Sequence, residues 1–292
     1  MKKENPAAFI GIGVVVLIAA GLAWAGSQGG LKLLGWPIFA ISIALVFVIQ
    51  WLAFIPAFVF QTEKFFDLTG SLTYISVTLF ALLISGSVDL RSVLLAGMVV
   101  FWAARLGSFL VTRIHKSGKD SRFDDIKPSF GRFLQVWSVQ GLWISFTFAA
   151  ALAAITSQVK VNPDGFALVG FLVWVLGLGI EALADHQKNV FRSDPKNKDA
   201  FIRSGLWSWS RHPNYFGEIT LWVGVALVAY PVLYGWQMLT LISPIFVAFL
   251  LIKVSGIPLL EKRADEKWGA QADYQAYKAR TSVLLPLPPR KA

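Results

Sequence analysis

The stretch LGWPIFAISIALVFVIQWLAFIPAFVF, Leu34 to Phe60, carries no charged side chain. A helix needs about 20 apolar residues to cross the hydrocarbon layer of a bilayer, and this run is long enough. In lipid its backbone N–H and C=O groups find partners only within the segment itself, so a spanning helix is the form expected. Working outward, similar runs occupy Ala7–Ala25, Leu72–Gly86, Ser92–Val111, Phe133–Thr156, Phe166–Ala184, Tyr215–Tyr230 and Trp236–Ile252. The pattern predicts an all-α polytopic membrane bundle of about seven to eight transmembrane helices. Residues 1–292 read as a single membrane domain, because no repeat, low-complexity tract or linker divides them.

Composition agrees: 55% hydrophobic residues, 15% charged residues and a mean hydropathy of +0.59 exclude a water-soluble domain. The absence of cysteine removes disulfides, thiolate nucleophiles and Cys-ligated metals. A net charge of +10 suggests nucleic acid until the cations are located. They crowd between Arg113 and Arg132, between Lys188 and Arg211, and from Lys262 to Lys291, while the segments at Lys32, Asp89–Arg91, Lys160–Asp164 and Tyr230–Trp236 hold few. That alternation fits eight spans with the basic loops and both termini in the cytosol, and no nucleic-acid partner is needed. The opening MKKEN, an apolar run and Ala23-Trp24-Ala25 also resemble a signal peptide; an uncleaved first helix is the preferred expectation.

Ionisable groups within spans usually face the bundle interior and mark function. Here they are Arg105, Glu181, Asp185, Glu218 and Lys253, all near the ends assigned to the cytosol. Glu181, Asp185, Asn189 and Arg192 share one helical face, as do Asn214, Glu218 and Trp222. The plain alternative is interfacial pairing or snorkelling, preferred for Lys253. Ser210-Arg-His-Pro-Asn214 reads as a helix start with Pro213 in the first turn, and with Arg203 and Arg211 nearby it suits a phosphate. In QTEKFFDLTGSLTY, Gln61 to Tyr74, the residues Glu63, Asp67 and Tyr74 are expected on one face, where a carboxyl beside a phenol can donate to a substrate oxygen. The alternative there is an ordinary polar loop with a capping acid. No metal-ligand spacing, nucleophile elbow, P-loop or complete dinucleotide fingerprint occurs, so no metal partner is expected.

RSGLWSWSRHPNYFGEITLW, Arg203 to Trp222, preceded by GLGIEALADHQKNVFR and followed by LLEKRADEKW and DYQAYKARTSVLLP, resembles the steroid 5α-reductase family and related bacterial membrane reductases. The resemblance is best over residues 165–286 and extends to a superfamily with sterol reductases and isoprenylcysteine methyltransferases. It implies NADPH held by Asp185, Arg192, Asn214, Glu218 and Tyr274, and at matching places by Arg105, Arg113, Lys119 and Arg122. Arg203 and Arg211 would serve a 2′-phosphate, and Glu181 stands where the family has an amide side chain. The implied reaction is hydride transfer to the conjugated C=C of an apolar enone, such as a 3-oxo-Δ4 steroid taken from the bilayer lipids. Glu63, then Asp67, would be the acid at the carbonyl, its pKa raised by burial. The family tyrosine before Arg105 is replaced within Phe101-Trp102-Ala103-Ala104, so that either Tyr74 would serve as donor or the protonated acid would act alone; Gln61 and Trp102 would contact substrate. Competing expectations are an S-adenosylmethionine-dependent methyltransferase acting on an isoprenylated or phospholipid substrate, and a non-enzymatic sterol or lipid binder. A bacterial inner membrane is expected in preference to the endoplasmic reticulum.

Overall fold

The computed structural model describes residues 6–117 and 120–289. Its helices are α1 (Pro6–Gly26), α2 (Ile38–Val59), α3 (Phe66–Ile84), α4 (Leu90–Ser117), α5 (Phe130–Thr147), α6 (Ala149–Ile155), α7 (Gly165–Ser193), α8 (Pro213–Ala229), α9 (Ser243–Phe249), α10 (Ile257–Trp268) and α11 (Ala272–Arg280). Among the described residues, seven helical segments are long and apolar enough to cross a membrane, and the bent pair α5 and α6 raises the number to eight. The protein is therefore an all-α polytopic membrane bundle. A two-residue hairpin, β1 (Lys32–Leu33) with β2 (Trp36–Pro37), precedes α2.

Several boundaries differ from those read in the sequence. The third span begins at Phe66, not Leu72; the Thr69 and Thr73 hydroxyls return to the carbonyls four residues earlier, so these polar side chains enter the helix with their hydrogen bonds met. Glu63 lies before that helix, so it does not share a helical face with Asp67 and Tyr74. The run from Phe133 to Thr156 is a broken span, with a bend of 59° between α5 and α6. The run from Trp236 is tight 3-10 turns over Gly235–Ile242, then α9, then a wide π-type turn over Leu250–Val254.

By its contacts the chain forms two compact units. The first comprises residues 1–167 and 226–243. Its core includes Phe54, Phe123, Phe133 and Trp137, whose rings meet edge to face. Residues such as Leu17, Leu52 and Leu83 are exposed on the bundle surface, as lipid-facing positions require. Arg91 is 1% exposed, yet every arm of its guanidinium is used, on the carbonyls of Val161, Asn162 and Val228 and on the Asp164 carboxylate. This satisfies a charge that would otherwise be costly in a low dielectric.

The second unit comprises residues 168–225 and 244–292. Glycines let α7 and α8 meet backbone to backbone. A Cβ on Gly217 would come within 2.6 Å of the Gly177 carbonyl oxygen, and one on Gly224 within 2.5 Å of that of Gly170. Without a hydrophobic drive between helices in lipid, such close approach supplies much of the association. Beyond the spans, α10 and α11 pack with the 194–211 loop. Tyr277 donates to the Trp207 carbonyl, and the Trp268 indole to that of Asp199.

Candidate functional site

In the second unit α7 runs about two and a half turns past its apolar part, carrying Asp185, Lys188 and Arg192 at i, i+3 and i+7. The loop after it returns through a 3-10 turn at Gly205–Ser208 to Pro213, which opens α8. Ser210 acts near the cap as expected, since its hydroxyl accepts the His212 N–H at 3.1 Å. The loop, the end of α7, α10 and α11 enclose a cavity of about 690 Å³. Its walls carry the cations Lys188, Arg192, Lys198, Arg211, Arg263 and Lys267 against the carboxylates Asp194 and Glu261. Between them stand Phe191, Phe201, Trp207, Trp268, Tyr274 and Tyr277. Phe201 meets Tyr274 edge on at 5.1 Å, and the Lys188 ammonium lies 4.5 Å from the Trp207 ring centroid.

Glu261 is the hub of this wall. It accepts from His212 Nε2 at 2.8 Å, lies 3.0 Å from Arg211 and 3.8 Å from Lys278. Burial depresses the His212 imidazole below its ordinary pKa, more than the Glu261 carboxylate restores. The neutral ring then donates from Nε2, so Nδ1 is left as an acceptor; it is buried without a partner among the described residues, as is Nε of Arg211. Both residues line the cavity. Tyr274 is pushed up to about 12 by burial and by the charges of Glu261 and Asp265, and burial raises Tyr277 as well. Both phenols are therefore neutral donors; Tyr274 uses its own on Asp265 at 3.3 Å.

Of the residues expected to hold a cofactor, Arg192, Arg211 and Tyr274 line this cavity. Arg203 pairs with Asp273 at 3.3 Å on the surface. Asn214 donates to Asp185 at 3.2 Å, and with Glu181 and Glu218 these two occupy α7 and α8 without lining the cavity. Sequence reasoning missed Lys188, Trp207 and the aromatic face of α10 and α11. The helical spacing of Lys188 between Asp185 and Arg192 was the available signal; nothing local announced the aromatic face.

In the first unit Glu63 is 5% exposed. It accepts the Asp120 N–H at 2.9 Å and pairs with Lys127 at 2.5 Å. Burial raises its pKa, but the Lys127 hydrogen bond and the Asp120 N–H together outweigh this and leave it below the ordinary glutamate value. The expectation of a burial-raised acid is thus corrected: Glu63 is an anion that holds the 120–127 loop. Gln61, just before it, is exposed and has φ of +49°, a left-handed conformation costly for a side chain with a Cβ. Asp67 sits in the first turn of α3. Tyr74 and Trp102 are brought together, with ring centroids 5.1 Å apart, and Phe148 closes on Tyr74 at 5.6 Å. Arg105 is half-buried on α4, and Arg122 is exposed and paired with Asp120. Lys119 and the side chain of Arg113 lie outside the described residues.

A family model with the description "Protein of unknown function (DUF1295)" matches residues 53–281. The chain is similar to a probable O-methyltransferase of Ustilaginoidea virens, 32% identical over 95 residues, which is 32% of each chain. It is similar to the Delta(14)-sterol reductase of Arabidopsis thaliana, 27% identical over 153 residues, 48% of this chain and 39% of the relative. It is also similar to human 3-oxo-5-alpha-steroid 4-dehydrogenase 1, 35% identical over 65 residues, 22% of this chain and 25% of the relative. The chain thus spans from a quarter to two-fifths of the length of these curated relatives. No solved structure matches it.

Proposed function

We propose, proceeding from a chain that belongs to the DUF1295 family of proteins of unknown function, that this is an NADPH-dependent membrane reductase acting on the conjugated C=C of an apolar enone such as a 3-oxo-Δ4 steroid. The observation that carries the reading is the cavity of the second unit, where six Lys or Arg and six aromatic rings line one space of about 690 Å³. A dinucleotide asks for that mixture: cations for several phosphates, and flat rings for a purine. The buried Nε–H of Arg211 suits a phosphate oxygen, and Nδ1 of His212 suits a ribose hydroxyl or an amide N–H. Two likenesses support the reductase class, to a sterol reductase and to a steroid dehydrogenase.

NADPH would supply the hydride. The chain's part is to hold and orient. Arg192, Arg211 and Lys188 would neutralise phosphate, Tyr274 with Phe201 would bracket a ring, and the Asp185–Asn214 pair would present an amide edge for hydrogen bonding. Tyr74, held between Trp102 and Phe148, would donate its phenol proton to the substrate oxygen, where a preorganised donor contributes about 3 kcal/mol of barrier lowering. Asp67, in the first turn of α3, would be the second acid offered to that oxygen. Gln61 and Trp102 would border the substrate, and the family resemblance would assign cofactor contacts to Arg105, Arg113, Lys119 and Arg122 as well. On this reading the cavity and both termini face the cytosol, across a bacterial inner membrane rather than the endoplasmic reticulum.

A second reading, an S-adenosylmethionine-dependent methyltransferase, is favoured by the likeness to an O-methyltransferase. Its adenosine would use the same rings, but its sulfonium would meet a wall rich in cations. Thermal unfolding of the detergent-purified chain with saturating NADPH, NADH or S-adenosylmethionine separates the two. A ligand at 100 times its Kd adds about 2.7 kcal/mol to apparent stability. NADPH is expected to stabilise, and Arg192→Ala to abolish most of the effect. Stabilisation by S-adenosylmethionine alone moves the protein to the methyltransferase class.

A further inference from the structure

The C-terminal segment after α11 does not trail away from the fold. Ser282 bridges Ser210 in parallel register, and the Arg211 N–H donates to the Ser282 carbonyl at 2.8 Å. The Ser210 hydroxyl donates to the Leu284 carbonyl at 2.8 Å, and the Leu287 N–H to the Trp209 carbonyl at 3.2 Å. Residues 282–287 are thereby fixed to Trp209, Ser210 and Arg211, one residue short of Pro213, where the spanning helix α8 begins. A chain tied to the first turn of a span lies in the headgroup layer, which is about 5–8 Å thick on each side of the hydrocarbon. The side chains presented there suit that layer: Trp209, Val283, Leu285 and Leu287 are all exposed.

Under this strand is a second cavity, of about 400 Å³. Arg211, Lys278 and Arg280 supply its cations, and Val283, Leu285 and Leu287 its apolar wall. Arg211 and Lys278 already have carboxylates, Glu261 and Asp265. Arg280 gives Nε to the Ala276 carbonyl and has no carboxylate partner among the described residues. The cavity therefore keeps a surplus positive charge directly beside an apolar wall, at the depth of lipid phosphates.

The geometry points to a site for an anionic phospholipid, with the headgroup phosphate at Arg280 and Lys278 and the first acyl methylenes along Leu285 and Leu287. This stands apart from the nucleotide reading and survives its failure. Lipid is the source of the phosphate because the leucines have no role toward a free anion.

The test uses the full chain in neutral detergent, titrated with phosphatidylglycerol, with phosphatidylcholine of the same acyl chains, and with inorganic phosphate, and read by native mass spectrometry and thermal unfolding. Saturable retention of phosphatidylglycerol is expected, with little of either competitor. Arg280→Gln should weaken it about fivefold, the worth of one cation at a lipid phosphate, Arg280→Lys should restore most of it, and Leu285→Ser should weaken it separately. Equal retention of phosphatidylcholine, or full affinity in Arg280→Gln with an unchanged melting temperature, overturns the proposal. So does binding of inorganic phosphate as tight as that of the lipid.

Discussion

Glu63 shows how a single contact redirects a role. Its side chain is 3% exposed, and that of its partner Lys127 is 15% exposed, so neither charge is well hydrated without the other. Removing one partner of a buried pair leaves the other uncompensated and costs about 3 kcal/mol. Lys127→Met should therefore lower stability by about that amount at pH 7, measured by thermal or denaturant unfolding. The sign with pH follows from the depressed pKa. The stabilisation from Glu63 is fully present above the ordinary glutamate value, about 4.3, and is lost as pH falls through its lower folded value. The gap between Lys127→Met and the parent should accordingly shrink in acid, and a gap independent of pH would mean that Lys127 acts through packing instead. Sequence spacing put Glu63 on a face with Asp67 and Tyr74, but spacing carries information only inside a helix, and this helix starts at Phe66. The partner Lys127, far along the chain, was beyond any local pattern.

At the scale of elements, α7 and α8 illustrate what composition hides. Gly177 and Gly179 look alike in the sequence, as two letters of an incomplete dinucleotide fingerprint. In the fold a Cβ on Gly177 would collide with the backbone of Gly217 and Leu221, whereas one on Gly179 would meet nothing within 4 Å. Gly177→Ala should force the helices apart and lower stability by about 2 kcal/mol, in the range of overpacked sites. Gly179→Ala should be neutral or raise it by up to about 1 kcal/mol, from helix propensity alone. Paired melting curves check this, and equal effects would mean that the two helices do not meet through glycine. The spans themselves were legible because a long apolar run has one solution in lipid. The bend at Phe148 was not, because the alanines of α6 are as apolar as the residues before the bend. Neither were the amphipathic α10 and α11, whose rings face a cavity that exists only once the tail has folded back.

For the whole molecule, orientation is a matter of where Lys and Arg fall along the chain. If the alternation sets it, the end of α7 at Ser193 and the segment at Gln158 lie on opposite sides of the membrane. The chain contains no cysteine, so Ser193→Cys and Gln158→Cys each give a single thiol. In right-side-out vesicles a membrane-impermeant maleimide should label the second and spare the first, and inverted vesicles should reverse the result. Labelling of both from one side would contradict an even number of spans between termini on one face. The charge rule reads this much from the sequence, and it also marked the basic loop that became a cavity wall. It did not show which cations converge, because convergence depends on the return of α10 and α11. Arg211 belongs to the walls of both cavities in the second unit and also pairs with Glu261. One guanidinium shared in this way makes the two spaces thermodynamically reciprocal. Whatever factor an occupant of one imposes on affinity in the other by drawing on Arg211, the second occupant must return undiminished to the first.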